Sequence, residues 1–469
     1  MNKASNYIWG MLGKLLPQGI NLIATFVLAR FLTPADFGQL GVLLVFSSVA
    51  GTLMEAGLGG SLIKEKKISD IDCSTIFVYN IVISIIFYIL IFCCSGFIED
   101  YFKIHGLSTV CRLLCLVFVI NSWGQIALTL LYRDLRFKVL CLNNTVGSFC
   151  ASLIAIIMAM NGFGVYALVA QLVFQQIIVV CLNWYFSKYH ISFKFSYDSF
   201  KRLFSFGFYT TISNILETIY ENIITSVLGK YLGVKPAGYL TQAKRLETAS
   251  CNVFVSTINN VSFPMLVKVN DDKELFIKEA DRLMKIGLLL SLPLIFSMII
   301  YSEQIISVTL GREWIVAASY LRILMFAGIF MIVESMTRNF LKSLLFVKTV
   351  FRITIVKRAI GLTLIFGCAL YEPSYLLYAY MTGSIIGFVA NWITYIKKMK
   401  LSPIIELRKL SASIIAPISV YALLHCINFY SSGHMFFNIV ACTIVLLAYY
   451  LIIMPQYGIN VLNLIKIKK

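Results

Sequence analysis

The sequence predicts an all-α integral membrane protein, with about fourteen transmembrane helices forming two pseudo-symmetric, parallel repeats around a central cavity. Three observations lead there. Hydrophobic residues make up 59% of the 469 positions and charged ones only 13%, far from the globular average, and the mean hydropathy is +0.84. Basic residues crowd into every second loop. Finally, the stretch Leu28 to Ile63, LARFLTPADFGQLGVLLVFSSVAGTLMEAGLGGSLI, has a partner 200 positions further on: Ala29-Arg30-Phe31-Leu32 falls on Gly229-Lys230-Tyr231-Leu232, and Phe37-Gly38-Gln39-Leu40 on Ala237-Gly238-Tyr239-Leu240.

A span needs about 20 mostly apolar residues, and such runs follow one another from Tyr7 to Pro455 with short polar breaks. The candidates cover roughly 7–32, 37–62, 73–98, 107–131, 138–160, 162–187, 203–229, 236–262, 283–301, 318–341, 350–370, 373–396, 410–429 and 435–455. All read as helices, because lipid offers the backbone no hydrogen-bond partner and a barrel would show short alternating segments. The first run lacks a small-residue cleavage site and continues to Leu32, so it is expected to remain as a span. The 12 cysteines contain no CxxC pair; most lie within spans, where they behave as small apolar residues, and no disulfide framework is expected.

Short cytoplasmic loops accumulate Lys and Arg. Of the 40 basic residues, 27 fall in one set of loops and tails, from Lys3 through Lys64, Arg133, Lys188, Lys268, Lys342 and Lys397 to Lys469. The alternate loops hold six: Arg30, Lys103, Arg112, Lys230, Lys235 and Arg312. The alternation keeps phase through all fourteen spans and places both termini in the cytoplasm. It also accounts for the net charge of +18 without nucleic acid as a partner, leaving anionic lipid headgroups as a secondary consequence.

The 200-residue offset maps span 1 onto span 7 and span 2 onto span 8, so the halves share an orientation, and parallel repeats of this kind enclose a cavity. A smaller echo sets Phe137-Lys138 against Val347-Lys348 at an offset of 210.

A charge at mid-bilayer costs about 2.5 to 3.5 kcal/mol, so intramembrane charges face protein or water. Lys14, Gln18 and Asn21 form one helical stripe in span 1, and Ser48, Thr52, Glu55 and Gly59 another in span 2. Span 7 carries Glu217 and Glu221 one turn apart; span 8 carries Thr241, Arg245, Thr248 and Asn252 on a stripe, with Lys244 and Glu247 beside it. Ser48 and Thr52 map onto Thr248 and Asn252. Facing lipid, the five ionisable groups of spans 7 and 8 would cost about 12 to 17 kcal/mol, so a shared hydrated interior is the cheaper arrangement.

Each of these residues also has a purely structural role open to it. Glu217 and Glu221 either line a substrate path or pair with Lys244 and Arg245 as a structural network. Lys14 either enters the cavity or snorkels to the interface. Glu334 and Arg338, at i, i+4 in span 10, need no ligand, and Arg30 and Lys230 suit interfacial anchoring as well as substrate contact. The scattered histidines (His105, His190, His425, His434) offer no metal-ligand spacing. No phosphate loop or nucleophile elbow appears, and Gly57 to Gly60 suit close helix packing.

The runs ARFLTPADFGQLG and EAGLGGSLI, with YRDLRFK after span 4, resemble the polysaccharide-transporter branch of the multidrug, oligosaccharidyl-lipid and polysaccharide exporter superfamily. More narrowly, they resemble bacterial flippases for O-antigen, capsule or colanic-acid-type repeat units. That resemblance implies lobes over 1–190 and 191–400, two additional C-terminal helices over 401–469, and a non-enzymatic exporter of the bacterial cytoplasmic membrane working by alternating access. It implies as substrate an oligosaccharide on undecaprenyl diphosphate, with a polysaccharide polymerase and chain-length machinery as partners. Lys14, Lys244 and Arg245 are then the expected diphosphate contacts. No cofactor is expected; Glu55, Glu217, Glu221 and Glu247 are the candidates for coupling to an H+ or Na+ gradient. Two alternatives remain: a cation-coupled multidrug exporter of the same superfamily, against which stands the lack of an intramembrane aspartate in span 1, and a polytopic glycan polymerase or glycosyltransferase, against which stand outer loops (99–106 and 302–317) too short for a catalytic site.

Overall fold

The computed structural model describes residues 3–55, 62, 68–187, 193–430 and 435–453. The long helices are α1 (Lys3–Leu28), α2 (Pro34–Glu55), α3 (Asp70–Phe102), α4 (Leu107–Arg133), α5 (Phe137–Met160), α6 (Val165–Ser187) and α7 (Tyr197–Tyr231). They continue with α8 (Val234–Val267), α9 (Lys273–Ile300), α10 (Val316–Ser343), α11 (Val347–Tyr371), α12 (Leu376–Met399), α13 (Pro403–Tyr430) and α14 (Met435–Ala448). Each expected span has its helix, and no strand occurs among the described residues. Among the described residues ten helices are long and apolar enough to cross a bilayer outright, with shorter apolar segments in α2 and near α14.

Several helices outrun the apolar stretches that predict them. Polar caps explain the extensions, since a helix start leaves backbone N–H groups unpaired. Ser69 and Asp72 form a capping box before α3, the Ser69 Oγ accepting from Asp72 N at 3.2 Å and the carboxylate accepting from Ser69 N at 3.1 Å. Asp272 accepts from the N–H groups of Glu274 and Leu275 to start α9. Thr33 and Asp36 cap α2 reciprocally, at 2.8 and 3.4 Å, with Pro34 in the first helical position, where its missing N–H costs nothing. The connection 302–317, expected as an outer loop, contains a helix, Ser302–Thr309, and a single tight turn, Arg312–Trp314. Arg322 of α10 fastens that helix through Ser302 at 2.7 Å and Glu303 at 2.6 Å, and Trp314 is buried.

By contact, the chain divides into two compact units, Met1–Thr241 and Gln242–Lys469. In the first, α5 packs on α1 and α6, α3 and α6 each pack on α4, and α2 packs on α7. Small residues let the backbones approach: Gly147 of α5 lies against Val179, and Gly124 of α4 against Val180. Across the α5/α6 seam Asn143 bonds Asn183 at 2.9 Å and Gln171 bonds Ser152 at 3.2 Å. In the second unit α9 packs on α10 and α13, and α12 on α10 and α11.

The internal repeat reappears as repeated backbone geometry. Leu32 N donates to Leu28 O at 2.8 Å and Leu232 N to Leu228 O at 2.9 Å; Phe37 N donates to Thr33 O at 3.5 Å and Ala237 N to Gly233 O at 3.4 Å. The fainter echo at 210 is also structural. Leu135 and Leu345 both adopt the left-handed conformation, at φ 54° and 62°, where non-glycine residues are uncommon. Arg136 N and Phe346 N each reach back to the carbonyl of Leu131 and Leu341 at 3.0 Å. The turns joining α4 to α5 and α10 to α11 are thus the same turn.

Candidate substrate path

In the first unit α2 and α7 lie side by side, and their polar residues meet. Thr52 Oγ1 sits 3.0 Å from Thr218 Oγ1 and donates to the Ser48 carbonyl at 2.9 Å. Ser48 and Thr52 are half-buried, as are Glu217 and Glu221 flanking Thr218. Asn222 Nδ2 bonds the Thr218 carbonyl at 2.9 Å. On α1, Lys14 is exposed while Gln18 and Asn21 are half-buried, and the buried Oδ1 of Asn21 accepts no hydrogen bond. Thr241, expected on a polar stripe, is buried, its hydroxyl bonded to the Ala237 carbonyl at 2.7 Å.

In the second unit α8 presents charge in two directions. The Lys244 Nζ lies 5.4 Å from the ring centroid of Tyr380 on α12, within cation–π range. Glu247 is buried towards α10, where a Cβ on Gly328 would lie 3.9 Å from its Oε1 and 2.9 Å from Cys251 Sγ. Thr248 is exposed and Arg245 half-buried; the Thr248 hydroxyl donates to Glu247 Oε2 at 3.3 Å. The side chains of Glu55 and Asn252, and the stretch Gly57 to Gly60, lie outside the described residues.

A buried charge cluster on α10, α11 and α12 is not legible from the sequence. Glu334 of α10, expected in an i, i+4 pair with Arg338, has a partner on another helix: Lys357 of α11 forms an ion pair with it. Asn391 of α12 donates to the same carboxylate oxygen at 3.4 Å and to the Gly387 carbonyl at 3.1 Å. All three side chains are buried, and Arg358 beside Lys357 is buried too. The signal existed in the adjacent charges Lys357-Arg358 at the centre of an apolar span; the identity of their partner did not. Thr218 was likewise missed, an unremarkable threonine between two conspicuous glutamates.

Helical spans throughout, repeated turns and buried intramembrane charge define a multi-pass, all-helical membrane protein. The chain belongs to the family of polysaccharide biosynthesis proteins, whose family model matches residues 27–319. It is 24% identical to a membrane protein in the cps region of Klebsiella pneumoniae over 386 residues, covering 81% of this chain and 78% of that one. It is also 24% identical to the lipopolysaccharide biosynthesis protein WzxC of Escherichia coli K12, over 68% of this chain and 66% of the relative. Among solved structures it is similar to the lipid II flippase MurJ in an inward closed conformation, with a TM-score of 0.77 at 14% identity, covering 96% of this chain and 100% of that one. That likeness is one of fold.

Proposed function

We propose that this chain is a flippase that carries undecaprenyl-diphosphate-linked oligosaccharide repeat units across the bacterial cytoplasmic membrane for surface polysaccharide synthesis. Both termini lie in the cytoplasm, as the positive-inside count requires. The observation that carries this reading is the pair of half-buried cations Lys244 and Arg245 on α8 in a member of the polysaccharide-biosynthesis family. A diphosphate must leave water with its charge compensated, and charge-assisted bonds from Arg and Lys do this most effectively. Gln18, Asn21, Ser48 and Thr52 offer hydroxyls and amides suited to a sugar headgroup, while the lipid tail remains in the bilayer. The chain moves its substrate by alternating access and makes or breaks no bond in it. Glu217, Glu221 and Glu247 are the described carboxylates placed to take up a coupling H+ or Na+, and a polymerase with its chain-length machinery receives the product.

The test is complementation of a deletion strain with the Lys244→Ala/Arg245→Ala variant. Surface glycan is expected to fall at least tenfold at native membrane levels of the variant, with lipid-linked repeat units accumulating on the cytoplasmic side. Full export by the double variant overturns the assigned roles.

A further inference from the structure

Within the first unit the starts of α2 and α8, equivalent under the repeat, meet backbone to backbone. A Cβ placed on Gly38 of α2 would collide with the Val234 carbonyl at the start of α8; a Cβ on Gly238 of α8 would collide with the Pro34 carbonyl at the start of α2 and come within 3.1 Å of Gly38 N. Gly38 and Gly238 are equivalent under the 200-residue offset, and so are Pro34 and Val234. Each glycine therefore rests on the carbonyl four residues before its own equivalent. The third contact is stricter: a Cβ on Gly41 would collide with the Thr241 hydroxyl, and Thr241 is the equivalent of Gly41. A contact in which i meets j while the equivalent of j meets the equivalent of i is isologous, as in a two-fold dimer. Here it occurs inside one chain, and a local two-fold axis passes between Gly41 and Thr241.

We propose that this crossing is a reversible clasp, which holds the outer ends of α2 and α8 together and parts and re-forms in each transport cycle. Its chemistry suits that task. The glycines bring Cα–H groups onto carbonyl oxygens, a contact individually weak, while the amide N–H groups stay committed to their own helices. At both glycines the nearest atom is a backbone carbonyl oxygen rather than a charged group, so separation there leaves no buried charge behind. The geometry is nonetheless exacting, because one added methyl at either glycine meets backbone rather than a side chain that could rotate away. A firmer joint lies alongside, where Ser226 of α7 donates to the Val42 carbonyl at 2.8 Å and Gly229 seats on Val42; this keeps α2 with α7 while α8 moves. The sidedness of the clasp and its place in a cycle rest on the flippase reading above.

A Thr241→Cys reporter tests the clasp independently of export. Labelling by a membrane-impermeant maleimide applied to whole cells is compared in the reporter alone and with Gly38→Val, Gly238→Val or the control Gly19→Val, since a Cβ on Gly19 meets nothing within 4 Å. Both wedges are expected to raise the labelling rate at least tenfold and to depress export; the control is expected to change neither. Unchanged labelling in wedge variants present at native levels overturns the clasp. Should the wedges fail to accumulate, an Ala35→Cys/Lys235→Cys pair bridged by a short bifunctional thiosulfonate decides the matter. Export lost on bridging and restored by reductant supports the proposal, whereas native export while bridged, or the absence of any bridge, overturns it. Failure of the unmodified chain to restore surface glycan to the deletion strain would instead remove the flippase reading, leaving the labelling result standing.

Discussion

Lys357 and Glu334 form an ion pair on adjacent helices of the second unit, each less than a tenth exposed. Two charges taken out of water are costly unless both are matched, and the third helix assists: Asn391 Nδ2 donates to the shared carboxylate oxygen. Removing one partner strands the other. Lys357→Ala is therefore expected to destabilise the protein by about 3 to 5 kcal/mol, read as a fall in thermal unfolding temperature in detergent. The isosteric double variant Glu334→Gln/Lys357→Met is expected to recover most of that loss. Recovery of stability together with native export marks the pair as structural; recovery without export would place it in the transport cycle.

Gly387 gives the same cluster its room. A Cβ there would lie 2.6 Å from Glu334 Oε2 and 3.4 Å from Lys357 Cδ, so Gly387→Ala is expected to cost about 1 to 3 kcal/mol as an overpacking substitution. Gly367→Ala on α11 supplies the comparison. A Cβ at that position meets nothing within 4 Å, and relief of the glycine entropy penalty should make it neutral or stabilising by up to about 1 kcal/mol. Equal effects of the two alanines would contradict the packing described.

Asp72 and Arg202 pair at 2.6 Å, but unequally: the arginine side chain is 56% exposed and the carboxylate 5%. Arg202→Ala should accordingly cost no more than about 1 kcal/mol, as for solvent-screened pairs. Asp72→Ala should cost more, about 1 to 2 kcal/mol, because it also removes half of the capping box that starts α3. Chemical denaturation of the two variants in the same detergent checks the order.

The Thr52 and Thr218 hydroxyls give the α2/α7 wall a direct interhelical bond. Such bonds within membranes average about 0.6 kcal/mol by double-mutant cycle, and the coupling between Thr52→Val and Thr218→Val is expected near that figure. A change in export larger than the stability change would place these hydroxyls on the substrate.

The helical elements and their repetition are written in the order of the residues. Apolar run length marks a span wherever the solvent is lipid, because backbone polar groups there have only one another to bond. Capping residues such as Thr33 and Asp36 act over three positions, so helix starts are written locally. The repeat was legible because turns constrain their own residues: the shared left-handed leucines 135 and 345 follow from the same few bonds in each copy.

Partnership between helices, by contrast, belongs to the packed molecule. The cost of a charge in lipid says that Lys244, Glu247 and Glu334 face protein or water; which residues they meet depends on how each helix is rotated and offset against its neighbours. That rotation is fixed by close packing summed over whole interfaces, as at Gly328 against Cys251 and Gly387 against Glu334, and no single helix carries it. Thus Glu334 found Lys357, and within the connection 302–317 a helix formed that Arg322 holds. The glycines of the opening repeat, legible as a copied motif, acquired their meaning only when the two copies were found resting on each other's carbonyls.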